Sequence, residues 1–587
     1  MRAFSSTIAA LVASFALLTS LAACSKDPGD AAQADPSAAP KAVTPKKLVL
    51  ATNSEPDTLN PLFSEMAISS SILLLGQREL TVYNDKWELV PDLAEQVPSL
   101  VNGLVRLVDT GEKKPDGSAK QKMVVTWHIK KDAMWQDGRP VTADDFIFAW
   151  QVQMDETQEI IDRDLPERIE KMEAQGTDKK TLVVTWKEPF AFFDDYRVHR
   201  ALPAHILRPR YQKPDGTTND MKKDPYGQAP LANGPFQFKD WVPGQYITYV
   251  RNERYNPKPH LEEITIRIIP NNVAMESALV AGDVDGVLAM GGLTVSELEE
   301  LQKRQGDRFA YYSVPGLVWA HIDFNLDNPL LTDVRVRKAI AHAINRQGLI
   351  DELYYGKYTL AHTFLPPRHW GYKSDIPALD FDLEKAKKLL DEAGFTHKAE
   401  GEVRKNKKGQ PLKLSISAVA GIKDIEQLEQ VIQSDLRKIG VDLQIDNKPA
   451  KVFFGDLARY RKLPHLSFYS WVMSPSSWGN TLWQSDMIPS AKNSWQGQNY
   501  PGWNNAEVTE LLKKVPAVLD LAERKAMMAR VQELYVEELP AIPMYFRPVV
   551  AVTRKDLKGF ALTGTQTPVS WNAHEWRFDE ATTAAKK

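Results

Sequence analysis

Between positions 123 and 150 the chain changes its hydrophobic period once. Met123, Val125, Trp127 and Ile129 alternate with Val124, Thr126, His128 and Lys130, the two-residue period of a strand with one buried face. Asp137-Gly138 follows as a tight turn, because glycine accepts positive φ without steric cost. Thr142, with Asp145 three residues on, has the pattern of a capping box, and Phe146, Ile147, Phe148 and Trp150 supply the apolar residues of the helix behind it. Further strands are expected at 48–52, 181–186, 236–241 and 318–325, with Gly234-Pro235 fixing the turn before the third. Helical spacing returns after Asp333, which caps a face of Val336, Ile340, Ala343 and Ile344. It returns again after Asp382, where Gly394 stops the helix and Glu384 pairs with Lys388, and at 425–439, ended by Gly440. Residues 102–122, rich in Gly and Lys, read as an exposed hairpin or loop. Strands and helices are mixed along the whole length, which makes this an α/β chain without an internal repeat.

The first residues obey a different pattern. Arg2 precedes an apolar run, 8–18, too short to span a bilayer as a mature helix. Small residues lead to Leu21-Ala22-Ala23-Cys24, which resembles a lipoprotein signal peptide with its lipobox. That resemblance implies that Cys24 carries a diacylglyceryl group and becomes the new N-terminus. The other reading is an ordinary secretory signal with an incidental Cys. Residues 25–47, rich in Ala, Asp, Pro and Lys, hold no aromatic and cannot bury enough surface to fold, so they read as a tether.

Composition narrows the function classes. The 587 residues suggest about four compact units at roughly 150 residues each. A net charge of −3 gives no electrostatic reason for a nucleic-acid partner. Cys24 is the single cysteine, so neither an intramolecular disulfide nor a Cys-based metal site is possible. Fifteen Trp residues serve either a large core or the aromatic lining of a ligand cleft. The sequence has no H-E-x-x-H, G-x-S-x-G, P-loop or Cys nucleophile, so it does not read as an enzyme and calls for no cofactor. Asp283 and Asp285 read as turn and cap residues.

A series of blocks carries a family resemblance. W-H-I-K at 127–130 is followed by W-Q-D-G-R-P-V-T-A-D-D-F at 135–146. Ser54-Glu55-Pro56 with Leu59 and Pro61, then L-V-P-D-L-A-E at 89–95, precede it. Ala232-Asn233-Gly234-Pro235, Gly282-Asp283-Val284-Asp285 and the run from Asp333 to Arg346 follow, with Ala232 where the family has Gly. Together these resemble the peptide/nickel family of extracellular solute-binding proteins, the receptors of oligopeptide and dipeptide ABC importers, over about 47–560. The resemblance implies an α/β, periplasmic binding protein type II fold with two hinged lobes and an extra small domain. It assigns 1–24 to the signal peptide, 25–47 to the tether, 48–67, 190–315 and 540–577 to lobe I, 68–189 to the extra domain and 316–539 to lobe II. Arg335 and Arg337, which look like phosphate binders alone, are structural by the same resemblance.

The site residues come from it too. Glu55 falls beside the ligand cleft, or else is a turn residue. Trp319 and His321 fall at aromatic cleft positions. In peptide-binding members a W-x-x-D segment lies along the ligand, its Asp pairing with the α-ammonium and its backbone adding the peptide as a strand. Here that segment is Ser470, Trp471, Val472, Met473 and Ser474, so Ser474 replaces the Asp. A neutral hydroxyl cannot offset a buried ammonium. Either Glu55 or Asp456 supplies the charge, or the ligand has no free amine. The implied function is capture of oligopeptides or dipeptides and delivery to an ABC permease by a monomer, anchored in the cell envelope of a bacterium through lipid on Cys24. The alternative is the same fold binding an oligosaccharide, an opine or another amine-free solute.

Overall fold

The computed structural model describes residues 46–579, except 65, 115–116, 161–162, 196–197, 400 and 566–568. The apolar run at 8–18, Cys24 and all but the last two residues of the 25–47 segment lie outside the described residues. Lys47 already belongs to a strand, Lys47–Thr52, one residue earlier than expected.

Two long strands organise the chain. Phe309–Phe324 has sixteen residues and Ala541–Arg554 has fourteen. At about 3.3 Å per residue the first reaches ~50 Å, enough to serve two lobes in turn. They pair antiparallel from Phe309 opposite Arg554 to Asp323 opposite Ala541, with a break in register between Val314 and Val318. Gly316 sits in that break, and a Cβ there would run into the carbonyl oxygen of Arg547. Pro548 stands opposite the same break and has no N–H to donate. The two crossing strands are therefore continuous but irregular at their middle, where a hinge needs them to be.

On either side of that break, the eleven-stranded sheet belongs to one lobe. In the first lobe Lys47–Thr52 pairs in parallel with Glu263–Ile268, and Tyr246–Arg251 and Phe236–Val242 extend the sheet antiparallel. Leu48, Leu50, Phe236, Ile264 and Ile266 fill its core. In the second, Leu466–Val472, Lys413–Ser417 and Asp442–Ile445 lie beside the first crossing strand. Helices Val334–Ala343, Leu383–Glu392 and Lys423–Arg437 cover them through Val336, Ile340, Leu390, Leu428 and Ile432. Asp333 and Asp382 cap their helices by accepting from Arg335 N and Lys385 N, both at 2.8 Å. Glu384 pairs with Lys387 at 2.8 Å rather than with Lys388, which turns towards Glu392 at 4.0 Å. Arg337 spends its guanidinium on the carbonyls of Leu331, Thr332, Glu538 and Leu539, a structural use.

The third unit is a four-stranded antiparallel sheet of Val105–Lys113, Ala119–His128, Thr181–Trp186 and Ile169–Gln175. Val105–Lys113 and Ala119–His128 pair as its first two strands, in the region the glycines mark. Met123, Val125 and Trp127 are buried on one face, and helix Ala143–Met154 follows. The motif around Asp145 is a polar hub. Its carboxylate accepts from Thr142 N at 2.9 Å, Trp135 Nε1 at 3.1 Å and Ala204 N at 2.9 Å. Burial pushes its pKa up against the pull of those donors. The W-Q-D-G-R-P-V-T-A-D-D-F block thus ties turn, helix and the later segment at 204 to one buried acid.

Candidate functional site: the free strand edge at the lobe junction

Strand Leu466–Val472 is paired on one side with Val318–Phe324 over its whole length. On its other side it pairs with Lys413–Ser417 only at Leu466 and Ser467. Among the described residues, 468–472 therefore present one edge with no strand partner. An unpaired edge is a template for an added strand.

Side chains alternate along this edge. Trp471 and Met473 turn towards the core, Trp471 against Tyr469 and Tyr500 with ring centroids 5.5 and 5.9 Å apart. Ser470 and Val472 face the other way, and Val472 is 58% exposed, unusual for a Val. Ser470 Oγ accepts from Arg547 Nη2 at 3.3 Å.

Trp319 and His321 lie directly across the pairing from Trp471 and Tyr469. Their rings stack at 4.0 Å, and Trp319 meets Trp483 edge-on at 6.0 Å. Both are enclosed, at 0% and 1% exposure, so in this conformation they back the edge strand and have no face on solvent. Behind them Tyr469 donates to the buried Asp323 carboxyl, with His321 Nε2 3.4 Å from its other oxygen. Burial raises the Asp323 pKa to about 8 and lowers that of His321 to about 3, so burial favours the uncharged form of both. Trp478, Trp483 and Trp503 are likewise buried.

At the end of the strand Ser474 is buried among hydroxyls. Its Oγ lies 3.0 Å from both Ser476 Oγ and Ser477 Oγ, and its N–H donates to Ser477 Oγ at 2.8 Å. Ser476 Oγ in turn donates to Asp195 Oδ2 at 2.6 Å. A carboxylate is therefore present one hydroxyl away from Ser474, brought by a segment 281 residues distant from Ser476. That segment is clamped to the second lobe. Phe192 stacks on Trp478 at 4.8 Å and 8°, and the Arg524 guanidinium lies 5.4 Å over Phe192 while donating to Ala191 O at 3.3 Å. Next to it, burial pushes Asp194 up to about 7.

Glu55 belongs to the first lobe and is anchored there. Its Oε1 accepts from Trp241 Nε1 and from Gly244 N, both at 2.9 Å, and Gly244 has φ +72° as its turn requires. Asp456 is exposed in the short helix Lys451–Ala458. Neither is hydrogen-bonded to the Ser474 cluster. Two residues near the edge escaped the sequence reading. Asp195 gave only the weak signal of an acidic pair beside Phe190, Phe192 and Phe193. Arg547 gave a clearer one, a lone cation in the apolar run 541–552.

Two lobes that share two crossing strands and expose an open strand edge at their junction define a protein that closes over a small solute. Residues 88–497 match the model of bacterial extracellular solute-binding proteins, family 5 Middle, and the chain belongs to that family. It is 25% identical over 521 residues to the oligopeptide-binding protein AppA of Bacillus subtilis (strain 168), covering 87% of this chain and 88% of that one. It is 24% identical over 551 residues to the dipeptide-binding protein of Escherichia coli (strain K12), covering 89% and 93%. The crystal structure of an oligopeptide-binding protein from Thermus thermophilus complexed with pentapeptide superposes with a TM-score of 0.66 at 27% identity, covering 92% of this chain and 97% of that one.

Proposed function

We propose that this chain is the substrate-binding component of an ABC importer, taking short peptides into the interlobe cleft and handing them to the permease subunits. The observation that carries this reading is the unpaired edge at 468–472, open to solvent at 470–472 and ended by a hydroxyl cluster that a carboxylate supports. The peptide backbone joins the edge as a strand. Ser470, Trp471, Val472, Met473 and Ser474 form its floor, backed by Trp319 and His321, while Glu55 stiffens the facing lobe. Asp195, through Ser476 and Ser474, supplies the negative charge that the family Asp supplies elsewhere. This removes the main reason to prefer an oligosaccharide, an opine or another amine-free cargo.

Closure is a rotation about 314–318 and 547–549. Lobe I comprises 48–67, 190–315 and the chain beyond the hinge to 577, lobe II 316–539 with the first half of the returning strand, 540–547, and the extra domain 68–189. The protein acts as a monomer outside the cytoplasm, with no catalytic step. Residues 1–24 direct export, and lipid on Cys24 holds the mature protein at the membrane through the 25–47 tether, each buried methylene contributing ~0.8 kcal/mol.

The test is native mass spectrometry of the mature, unlipidated protein as purified, with any retained compound sequenced or fragmented. Peptides released on denaturation support the reading. An amine-free solute held stoichiometrically overturns the cargo. If the cleft is empty, tryptophan fluorescence titrations with di- to pentapeptides and with oligosaccharides decide between the same two outcomes.

A further inference from the structure

We infer that Arg547 and Ser470 form an anion subsite that receives the carboxylate of the bound solute. The inference rests on the proposed function for its ligand, and on the geometry of Arg547 for its chemistry.

Arg547 is the only charged residue between Ala541 and Thr553 on the second crossing strand. It stands opposite Val318, which in turn stands opposite Val472, so it lies in the same row of the sheet as the open edge. Its side chain reaches Ser470, one pair further along that edge. Five N–H donors are available on a guanidinium. One is used, at 3.3 Å, on Ser470 Oγ, and Nε is buried without an acceptor. Among the described residues no carboxylate forms an ion pair with it. The other long cations of this lobe's core are spent: Arg337 and Arg346 on backbone carbonyls, Arg404 on Asp391 and two carbonyls. Arg547 alone of these keeps an open fork, half-exposed, beside the exposed Val472.

An Arg held on one edge by a hydroxyl, with a buried and unmatched Nε–H, is arranged for a planar bidentate anion. A carboxylate fits, because Ser470 Oγ–H is free to donate to the second oxygen. The surroundings suit a group that arrives with its own charge. Tyr354 and Tyr358 pack near the guanidinium, their rings stacked at 4.1 Å. Asp424 acts on the same two tyrosines but lies outside ion-pair distance of Arg547. The arrangement gives the edge strand a polarity, with Arg547 at the Ser470 end and Asp195 behind the Ser474 end. A zwitterionic peptide then binds in one direction, its carboxylate at Arg547.

The experiment uses the mature, unlipidated full chain and tetra-alanine, its C-terminal amide, and sodium acetate. Isothermal titration gives affinities for wild type, Arg547→Lys and Arg547→Ala, and the Arg Nε–H signals are followed in ¹⁵N-arginine-labelled protein. Tetra-alanine should bind the wild type at least tenfold more tightly than its amide. Arg547→Ala should erase that difference by weakening only the free acid, and one Arg Nε–H signal, absent in Arg547→Lys, should shift on binding. Equal affinity for acid and amide in the wild type overturns the subsite, and needs no variant to fold. Equal loss of both forms in Arg547→Ala overturns it too. If neither peptide binds but acetate shifts the Arg547 signal, the subsite stands and the peptide cargo falls. If both peptides bind alike and acetate shifts nothing, the cargo stands and the subsite falls.

Discussion

Replacing Asp195 by Asn isolates the charge that the hydroxyl cluster borrows. The amide keeps an oxygen for Ser476 Oγ, now 2.6 Å from the carboxylate, and removes the charge. A hydrogen bond to a charged group is worth about 1.5–3 kcal/mol net. At 1.4 kcal/mol per factor of ten, that predicts a loss of about tenfold to a hundredfold in affinity for a peptide with a free α-amine. N-acetylated tetra-alanine has no ammonium and should bind Asp195→Asn and wild type alike. The reciprocal change supplies the second arm. Ser474→Asp in the wild type sets a second carboxylate beside Asp195 and should weaken folding or raise a pKa, because two like charges resist ionising together. In the Asp195→Asn background the same Ser474→Asp should restore affinity, since it returns a carboxylate to the same hydroxyl cluster. Isothermal titration of the four proteins with the free and acetylated peptides gives the coupling as a double-mutant cycle. Affinity unchanged in Asp195→Asn, or an equal loss for both peptides, refutes the reasoning, and so does a cycle with no coupling.

Three other outcomes follow from the same contacts. Asp323 has its pKa raised to about 8 by burial, so the folded state holds a proton that the unfolded state releases near pH 4. Its contribution therefore makes stability fall as pH rises through that window. His321, lowered to about 3, contributes the opposite slope below its unfolded value near 6.5. The two offset each other from about pH 4 to 6.5 and leave a decline towards pH 8. Asp323→Asn should flatten that decline in urea unfolding, whereas an unchanged pH profile would contradict a protonated Asp323. Asp145→Ala strands the three donors it satisfies, each costing about 1–3 kcal/mol. Differential scanning calorimetry should show a large loss of stability, and a change within ~0.5 kcal/mol would show that the block is not structural. Cys24→Ser should move the exported protein from the membrane to the soluble fraction and abolish incorporation of labelled fatty acid, while membrane retention of the variant would disprove the lipid anchor.

Much of the scaffold was legible because it is written locally. Met123, Val125 and Trp127 alternate and are buried, Asp333 and Asp382 cap the helices that follow them, and Asp283 and Asp285 sit in a turn, Asp285 accepting from Val49 N at 2.9 Å. Each such signal spans a few residues and depends only on period, cap or turn chemistry. The pairing of Glu384 failed by one residue because i,i+3 and i,i+4 are both within reach on a helix. The first crossing strand, expected at 318–325, begins earlier, at Phe309, and Pro315, Gly316 and Pro548 lie inside the paired strands. They mark an irregularity within continuous strands.

Charge at the candidate site followed no local rule, and the reason lies in how a closing cleft is built. A strand position sees its neighbours across the sheet and across the lobe junction as closely as its neighbours in sequence. A Ser at 474 therefore says nothing by itself about the charge near 474. A carboxylate enters from Asp195, carried in by Phe192 stacked on Trp478, and a cation enters from Arg547 on the returning strand. Both come from segments that the W-x-x-D comparison never touches. A substitution in a short motif constrains the ligand only after the groups facing it from every converging segment have been counted. Here that count turns an apparent loss of the ammonium partner into a cleft with a carboxylate behind one end of the edge strand and an unspent guanidinium at the other, the two charges a zwitterionic peptide needs at its ends.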